Sequence, residues 1–126
     1  MNKEKRDPEA LLPLTPAVFH ILLALADTER HGYGIMQEIA QRTDGKVRMG
    51  PGTLYGSIKR MLAEGLIAEL GERPDPALDD ERRRYYRMTD FGLRVAQVEA
   101  RRLEQLVHVA QFKQLLGGTG AAGGGL

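Results

Sequence analysis

The chain has 126 residues, 42% hydrophobic and 28% charged, which is the make-up of one globular domain and not of a disordered segment. It holds no cysteine, so a disulfide framework, a thiolate metal site and a cysteine nucleophile are excluded together. Lys and Arg number 18 against 17 Asp and Glu, a net charge of +1, so any surface for a polyanion must concentrate its positive charge locally.

The opening MNKEKRDPEALLP is charged and has no long apolar run behind it, so no secretory leader is expected. No stretch approaches the roughly 20 apolar residues needed to cross a membrane, and the cytoplasm is the expected setting. Residues 1–12 are expected to form a flexible arm. Thr15-Pro16 then reads as a helix start, with Thr15 as cap and Pro16 at the first helical position. Val18, Ile21, Leu22 and Leu25 follow at helical spacing to about Ala26. Ala17, Phe19, Leu23 and Ala24 make this helix apolar nearly all round, which predicts a central place in the core.

A polar link, Asp27 to His31, leads to a second helix over about Gly32 to Thr43, with Ile35, Met36, Ile39 and Ala40 on one face. Asp44-Gly45 ends it, Gly45 being able to take the left-handed conformation. Lys46 to Met49 is a short extended piece, and Gly50-Pro51-Gly52 breaks the chain. A third helix runs from Thr53 to Gly65, with Leu54, Ile58, Met61 and Leu62 along one side. Leu66 to Leu70 alternates weakly as a strand. Gly71 to Glu81, with two prolines and three aspartates, is turn chemistry. Arg83 to Thr89 is a second strand, with Tyr86 beside Met88 on its inner face. Thr89 or Asp90 caps a long helix reaching about Leu116. Leu93, Ala96, Ala100, Leu103, Val107 and Ala110 form a narrow heptad seam on it, suited to a second copy of the same helix. The Gly/Ala-rich end, residues 117–126, is expected to be flexible.

Three helices followed by a hairpin is the winged helix-turn-helix order. The fold expected is therefore mainly α with a small β-hairpin: a winged helix over residues 13–89 and a dimerisation helix over 90–116. In such a fold the third helix enters a DNA major groove. With its apolar side buried, the opposite arc carries Gly52, Thr53, Gly56, Lys59, Arg60 and Ala63, with Tyr55 at the edge. The two glycines allow close approach, Thr53 and Tyr55 lie in the turns that reach base edges, and Lys59 and Arg60 suit phosphates. Arg82, Arg83 and Arg84 on the hairpin supply the concentrated charge.

The runs HGYGIMQEI (31–39), GPGTLYGSIKRMLAEGLI (50–67) and RRRYYRMTDFG (82–92) together resemble the PadR family of transcriptional regulators. The resemblance spans roughly residues 12–116. It implies a cytoplasmic homodimeric repressor released by a small-molecule effector; such a two-fold dimer presents two recognition helices and is expected to bind a pseudo-palindromic operator. It also implies that Thr53, Tyr55, Ser57 and Lys59 lie on or near the DNA face, Arg83 and Arg84 on the wing, and Tyr33 against the DNA backbone. The chain departs from the pattern in its long acidic wing tip, Arg73 to Glu81. It resembles the short members with one C-terminal helix. It lacks the tryptophan with which some of those hold flat aromatic drugs.

His20, His31 and His108 have no metal-ligand spacing and are expected to be satisfied or solvent-facing. Gly32-Tyr33-Gly34 follows no strand and lacks the glycine spacing of a nucleotide loop. Ser57 has no catalytic partners at a recognised spacing. No metal, cofactor or enzymatic activity is therefore expected. The rival to a DNA-binding regulator is a winged-helix module that contacts protein and not DNA, since fold alone does not fix function.

Overall fold

Helix α1 (Pro16–Leu25) starts where the Thr15 hydroxyl accepts a hydrogen bond from the Val18 N–H, 3.2 Å, with Pro16 in the first turn. The structure, a computed structural model, describes residues 6–74 and 82–117. Within them α1 is the hub. Val18, Ile21, Leu22, Ala24 and Leu25 are buried, and the helix packs against α2 (Gly32–Arg42), α3 (Pro51–Ala63), β3 (Arg82–Met88) and α4 (Asp90–Phe112). Each fully buried Leu or Ile contributes about 1.5–3 kcal/mol, so a helix apolar nearly all round belongs at the centre. Ile35, Ile39, Leu54, Ile58, Met61, Leu66, Ile67, Tyr86, Phe91 and Val95 complete the core.

The strands β1 (Arg30–His31), β2 (Ile67–Pro74) and β3 form one antiparallel sheet in the order β1-β3-β2. The sequence predicts two hairpin strands and a short extended strand over residues 46–49; that piece joins no sheet in the structure. The sheet's third strand, β1, lies inside the expected polar link and pairs Arg30 with Tyr86 and His31 with Tyr85. Two residues are too few to show an alternation. Strand β2 runs four residues past Leu70, into the expected turn. A bulge between Glu69 and Gly71 resets the register, and Gly71 takes φ +94° there. Helix α3 starts at Pro51, two residues before Thr53, with Gly50 as its cap. The acidic wing tip (75–81), the tail (118–126), residues 1–5 and the side chain of Arg82 lie outside the described residues.

The left-handed stops are as the sequence predicts, with one addition. Gly65 (φ +77°) ends α3, the Leu66 N–H returning to the Met61 carbonyl at 2.9 Å and the Gly65 N–H to Leu62 at 3.1 Å. At the end of α2, Asp44 shares the left-handed turn with Gly45. The Leu66 carbonyl then gathers the other elements. It accepts from the Thr89 N–H at 3.1 Å, while the Thr89 hydroxyl, also 3.1 Å from it, gives its one proton chiefly to the Gly65 carbonyl at 2.6 Å and accepts from the Gly92 N–H to cap α4. Gly92 lies so close that a Cβ there would collide with the Leu66 carbonyl oxygen and stand 3.0 Å from its carbon.

Residues 6–12 are not a loose arm. Pro8–Leu11 form a 3-10 helix packed on α4. The Arg6 guanidinium lies 3.8 Å from the Phe91 ring centre and donates to the Glu64 carbonyl at the C-terminal end of α3, 2.9 Å away. Further along, the Leu14 N–H donates to Glu99 on α4 at 3.1 Å. Glu99 is only 2% exposed, and Arg102 donates to both its oxygens at 2.6 and 3.1 Å. A handful of specific contacts holds this segment, and none of them leaves a periodic pattern.

The Arg102 hydrogen bonds hold the Glu99 carboxyl below the usual glutamate range. Burial opposes them, and the Leu14 N–H adds to them. The folded state therefore takes up this proton less readily than the unfolded chain. The anchor stabilises fully above the ordinary glutamate pKa and is lost as pH falls through the depressed folded value. Glu99→Gln is expected to cost about 2 kcal/mol at neutral pH, the worth of a hydrogen bond to a charged group. In urea unfolding the gap from the parent should close in acid; a gap that persists there would show that the charge is not what anchors.

Candidate nucleic-acid interface

Helix α3 sorts its residues by face. Leu54, Ile58 and Met61 point into the core, while Gly52, Thr53, Gly56, Lys59, Arg60 and Ala63 are exposed along the opposite arc. Ser57 is half-buried at the margin, and Tyr55 stands 47% exposed at the edge. Nothing lies within 4 Å of the place a Cβ would take on Gly52 or Gly56, so the middle of this face is open and low. Neither Lys59 nor Arg60 forms an ion pair with the described residues. Arg60 borders a cleft of about 80 Å³ beside Leu11, Pro13 and Glu64, which sets it on the flank toward the N-terminal segment.

The start of α3 also differs from those of its neighbours. Thr15, His31 and Thr89 each cap a helix through a side chain; Gly50 makes no such bond. The first-turn N–H groups of α3 are therefore open to a ligand anion, with the positive end of the helix dipole behind them.

The wing does not present its arginines as one cluster, because neighbours in a strand face opposite ways. Arg84 turns to the side of Glu69 and Glu72, pairing with them at 2.6 and 3.2 Å. Arg83 lies on the other face, its guanidinium 5.6 Å from the centre of the Tyr33 ring at the start of α2. Tyr33 is exposed, and the pair joins the wing to the helix-turn-helix. Tyr86 is buried, as its alternation predicts. Burial, then Glu69 and Tyr55, push its hydroxyl pKa up.

Three residues outside the predicted set shape this surface. His31 caps α2, its Nδ1 accepting from the Gly34 N–H at 3.0 Å, and its ring meets Tyr85 edge-on with centroids 5.2 Å apart. Arg73 stacks over Tyr85 at 4.1 Å and pairs with Glu29. Gly32 is buried beneath Tyr55. The HGYG run holds two of the three, but only the packing shows what they do.

On α4 the expected seam lies apart from the core-facing line of Phe91, Val95, Glu99 and Arg102, displaced by roughly a quarter to a third of a turn. Ala96 is partly spent on its own core. Leu93, Ala100, Leu103 and Val107 are exposed, and Ala110 is half-covered. Past Arg102 the helix leaves its domain, and Leu106, Val109 and Phe112 are exposed too, Phe112 at 86%. Among the described residues no helix is long and apolar enough to cross a membrane, and no group of His, Asp and Glu could hold a metal ion.

Gly56→Leu should leave the fold intact and add up to about 0.8 kcal/mol through helix propensity, since a Cβ there meets nothing within 4 Å on an exposed face. Gly92→Ala, forced against a backbone carbonyl, should lose about 1–3 kcal/mol. Urea unfolding of the two variants side by side checks both.

This arrangement has relatives. The model of the Transcriptional regulator PadR-like family matches residues 21–98. Transcriptional regulator Rv3488 of Mycobacterium tuberculosis is 34% identical over 99 residues, 79% of this chain and 81% of its own length. A PadR family transcription regulator from Clostridium difficile aligns with a TM-score of 0.66 at 23% identity, over 82% of this chain and all of that one. Bacillus subtilis PadR, solved in complex with operator DNA, aligns with a TM-score of 0.57 at 20% identity, over 68% of this chain and 46% of its own. The family match takes in α2, the bare-faced α3, the wing and the root of α4, and on these grounds the chain belongs to the PadR-like family of transcriptional regulators.

Proposed function

We propose that this regulator is a homodimeric repressor that binds a pseudo-palindromic operator and is released by a small effector. The observation that carries DNA binding is the outward arc of α3: an open, glycine-floored face ending in two cations without ion partners among the described residues, behind an N-terminus that no side chain caps. In this reading Thr53 reaches base edges, Gly52 and Gly56 admit the duplex, and Ser57, Lys59 and Arg60 hold backbone. Tyr33 and the wing arginines 82–84 flank it. The Bacillus subtilis relative with operator DNA shares this fold and supports the same use here. Such a regulator works in the cytoplasm, beside the DNA it controls.

The dimer reading rests on α4. Among the described residues nothing beyond Arg102 covers Leu103, Leu106, Val107, Val109 and Phe112, which stand exposed. A second copy across Leu93, Ala96, Ala100, Leu103, Val107 and Ala110 buries the seam and places two α3 helices about a two-fold axis. The effector reading draws on a groove of about 390 Å³ between the 3-10 helix and α4, lined by Leu12, Val98, Arg101 and Arg102.

Selection from a random DNA pool, followed by footprinting, should give two half-sites about one helical turn, or a multiple of it, apart. Affinity should fall with salt at a log–log slope of about −0.9 per phosphate contact. Lys59→Ala, which removes one contact from each copy of the dimer, should lower that slope by about 2, and Arg84→Ala by less, since Glu69 and Glu72 already neutralise it. Gly56→Leu should weaken binding without unfolding the domain. Binding to no DNA at low salt would favour the protein-interaction module instead.

Sedimentation should find a dimer at micromolar concentration. Leu103→Glu should split it by forcing an unpaired carboxylate into the seam. A parent chain that sediments as a monomer would overturn the dimer.

A further inference from the structure

Tyr55 lies on the second turn of α3, with about half its surface covered. What covers it is the start of α2. A Cβ on Gly32 would stand 2.7 Å from the tyrosine Cζ and 3.0 Å from Cε1, and closer still to the hydroxyl. Gly32 is buried, so the ring fills the space over its Cα. One side chain of α3 thus packs on the backbone at the start of the helix before it.

We infer that Tyr55 is a positioning residue for DNA recognition: its ring, packed on the bare Cα of Gly32, fixes the angle at which α3 leaves α2. The inference rests on the reading of α3 as the helix that enters the groove. It assigns the Tyr55 hydroxyl no contact with DNA. The glycine at 32 is then there for space, since a methyl group would push the ring outward. At Gly92 the obstacle is backbone and cannot yield. At Gly32 it is the free end of a side chain, which can swing away while the fold survives.

The test is binding, by fluorescence anisotropy, to the duplex that the parent protein selects from a random pool. Tyr55→Phe keeps the ring and should bind within about two-fold of the parent, whereas Tyr55→Leu and Gly32→Ala should each bind about ten-fold more weakly. Gly32→Ala combined with Tyr55→Leu should be no weaker than Tyr55→Leu alone, because no ring remains to be displaced. Salt slopes should match the parent throughout, as no phosphate contact is lost. The inference is overturned if Tyr55→Phe loses as much as Tyr55→Leu with a shallower slope, if Gly32→Ala binds like the parent, or if the two losses add. Should thermal unfolding find Gly32→Ala unfolded, the comparison of Phe with Leu at position 55 decides alone. A parent that selects no duplex overturns the DNA-binding reading and this inference with it; a parent that binds while the variants behave otherwise overturns this inference only.

Discussion

At the Leu66 carbonyl, α3 has just ended, β2 is about to begin, β3 has just closed and α4 starts. Thr89 donates its N–H to that oxygen, gives its hydroxyl proton chiefly to the adjoining Gly65 carbonyl and caps α4 with the same hydroxyl, and Gly92 lets the helix come down on top of it. Arg6 adds a fifth element, gripping the Glu64 carbonyl from one side and the Phe91 ring from the other. The direction of α3 and the direction of α4 are therefore fixed by the same few atoms. A buried carbonyl with three neighbours in place is costly to leave half-satisfied, so the junction tolerates little drift. The bare face of α3 and the unpartnered length of α4 both stand in relation to this point.

The electrostatics follow the same economy of position. The chain carries almost no net charge, and much of its arginine is used at home. Arg84 and Arg73 pair with carboxylates on or beside the sheet, Arg42 with Glu38, and Arg102 with Glu99. Apart from the buried Glu99 pair, pairs of this kind lie near the surface and contribute at most about 1 kcal/mol each. Their larger effect is on the field outside, because a paired arginine offers little to a phosphate. Lys59 and Arg60 on the outward arc of α3 have no such partner among the described residues.

Helices α1, α2, α3 and α4 were all legible, because a stripe of Leu, Ile, Val and Met at helical spacing and a glycine stop survive in any reading of the sequence. The core position of Tyr86 followed from alternation alone. What escaped was held by single contacts. Strand β1 is two residues long and exists because β3 has an open edge. The extension of β2 past Leu70 depends on a bulge at Gly71. Arg6 grips a carbonyl 58 positions away, and no local pattern announces such a reach. On the candidate interface, the exposed arc of α3 was written in its periodicity. The division of Arg83 and Arg84 between two faces was written there too, but their partners Tyr33, Glu69 and Glu72 belong to register and tertiary packing.

Helix α4 has 23 residues, and only those before about Arg102 rest on the domain. It is a lever with its pivot at Gly92. At 1.5 Å per residue its length is roughly 35 Å, so a tilt of about 5° at the root carries the far end by roughly 3 Å. Run backwards, the same gearing turns a large displacement at Phe112 into a small, forceful one at Leu66, where α3 is seated. In the proposed dimer, two such levers meet. The spacing of the two α3 helices is then set as finely by the methyl group that Gly92 lacks as by the side chains that join the copies.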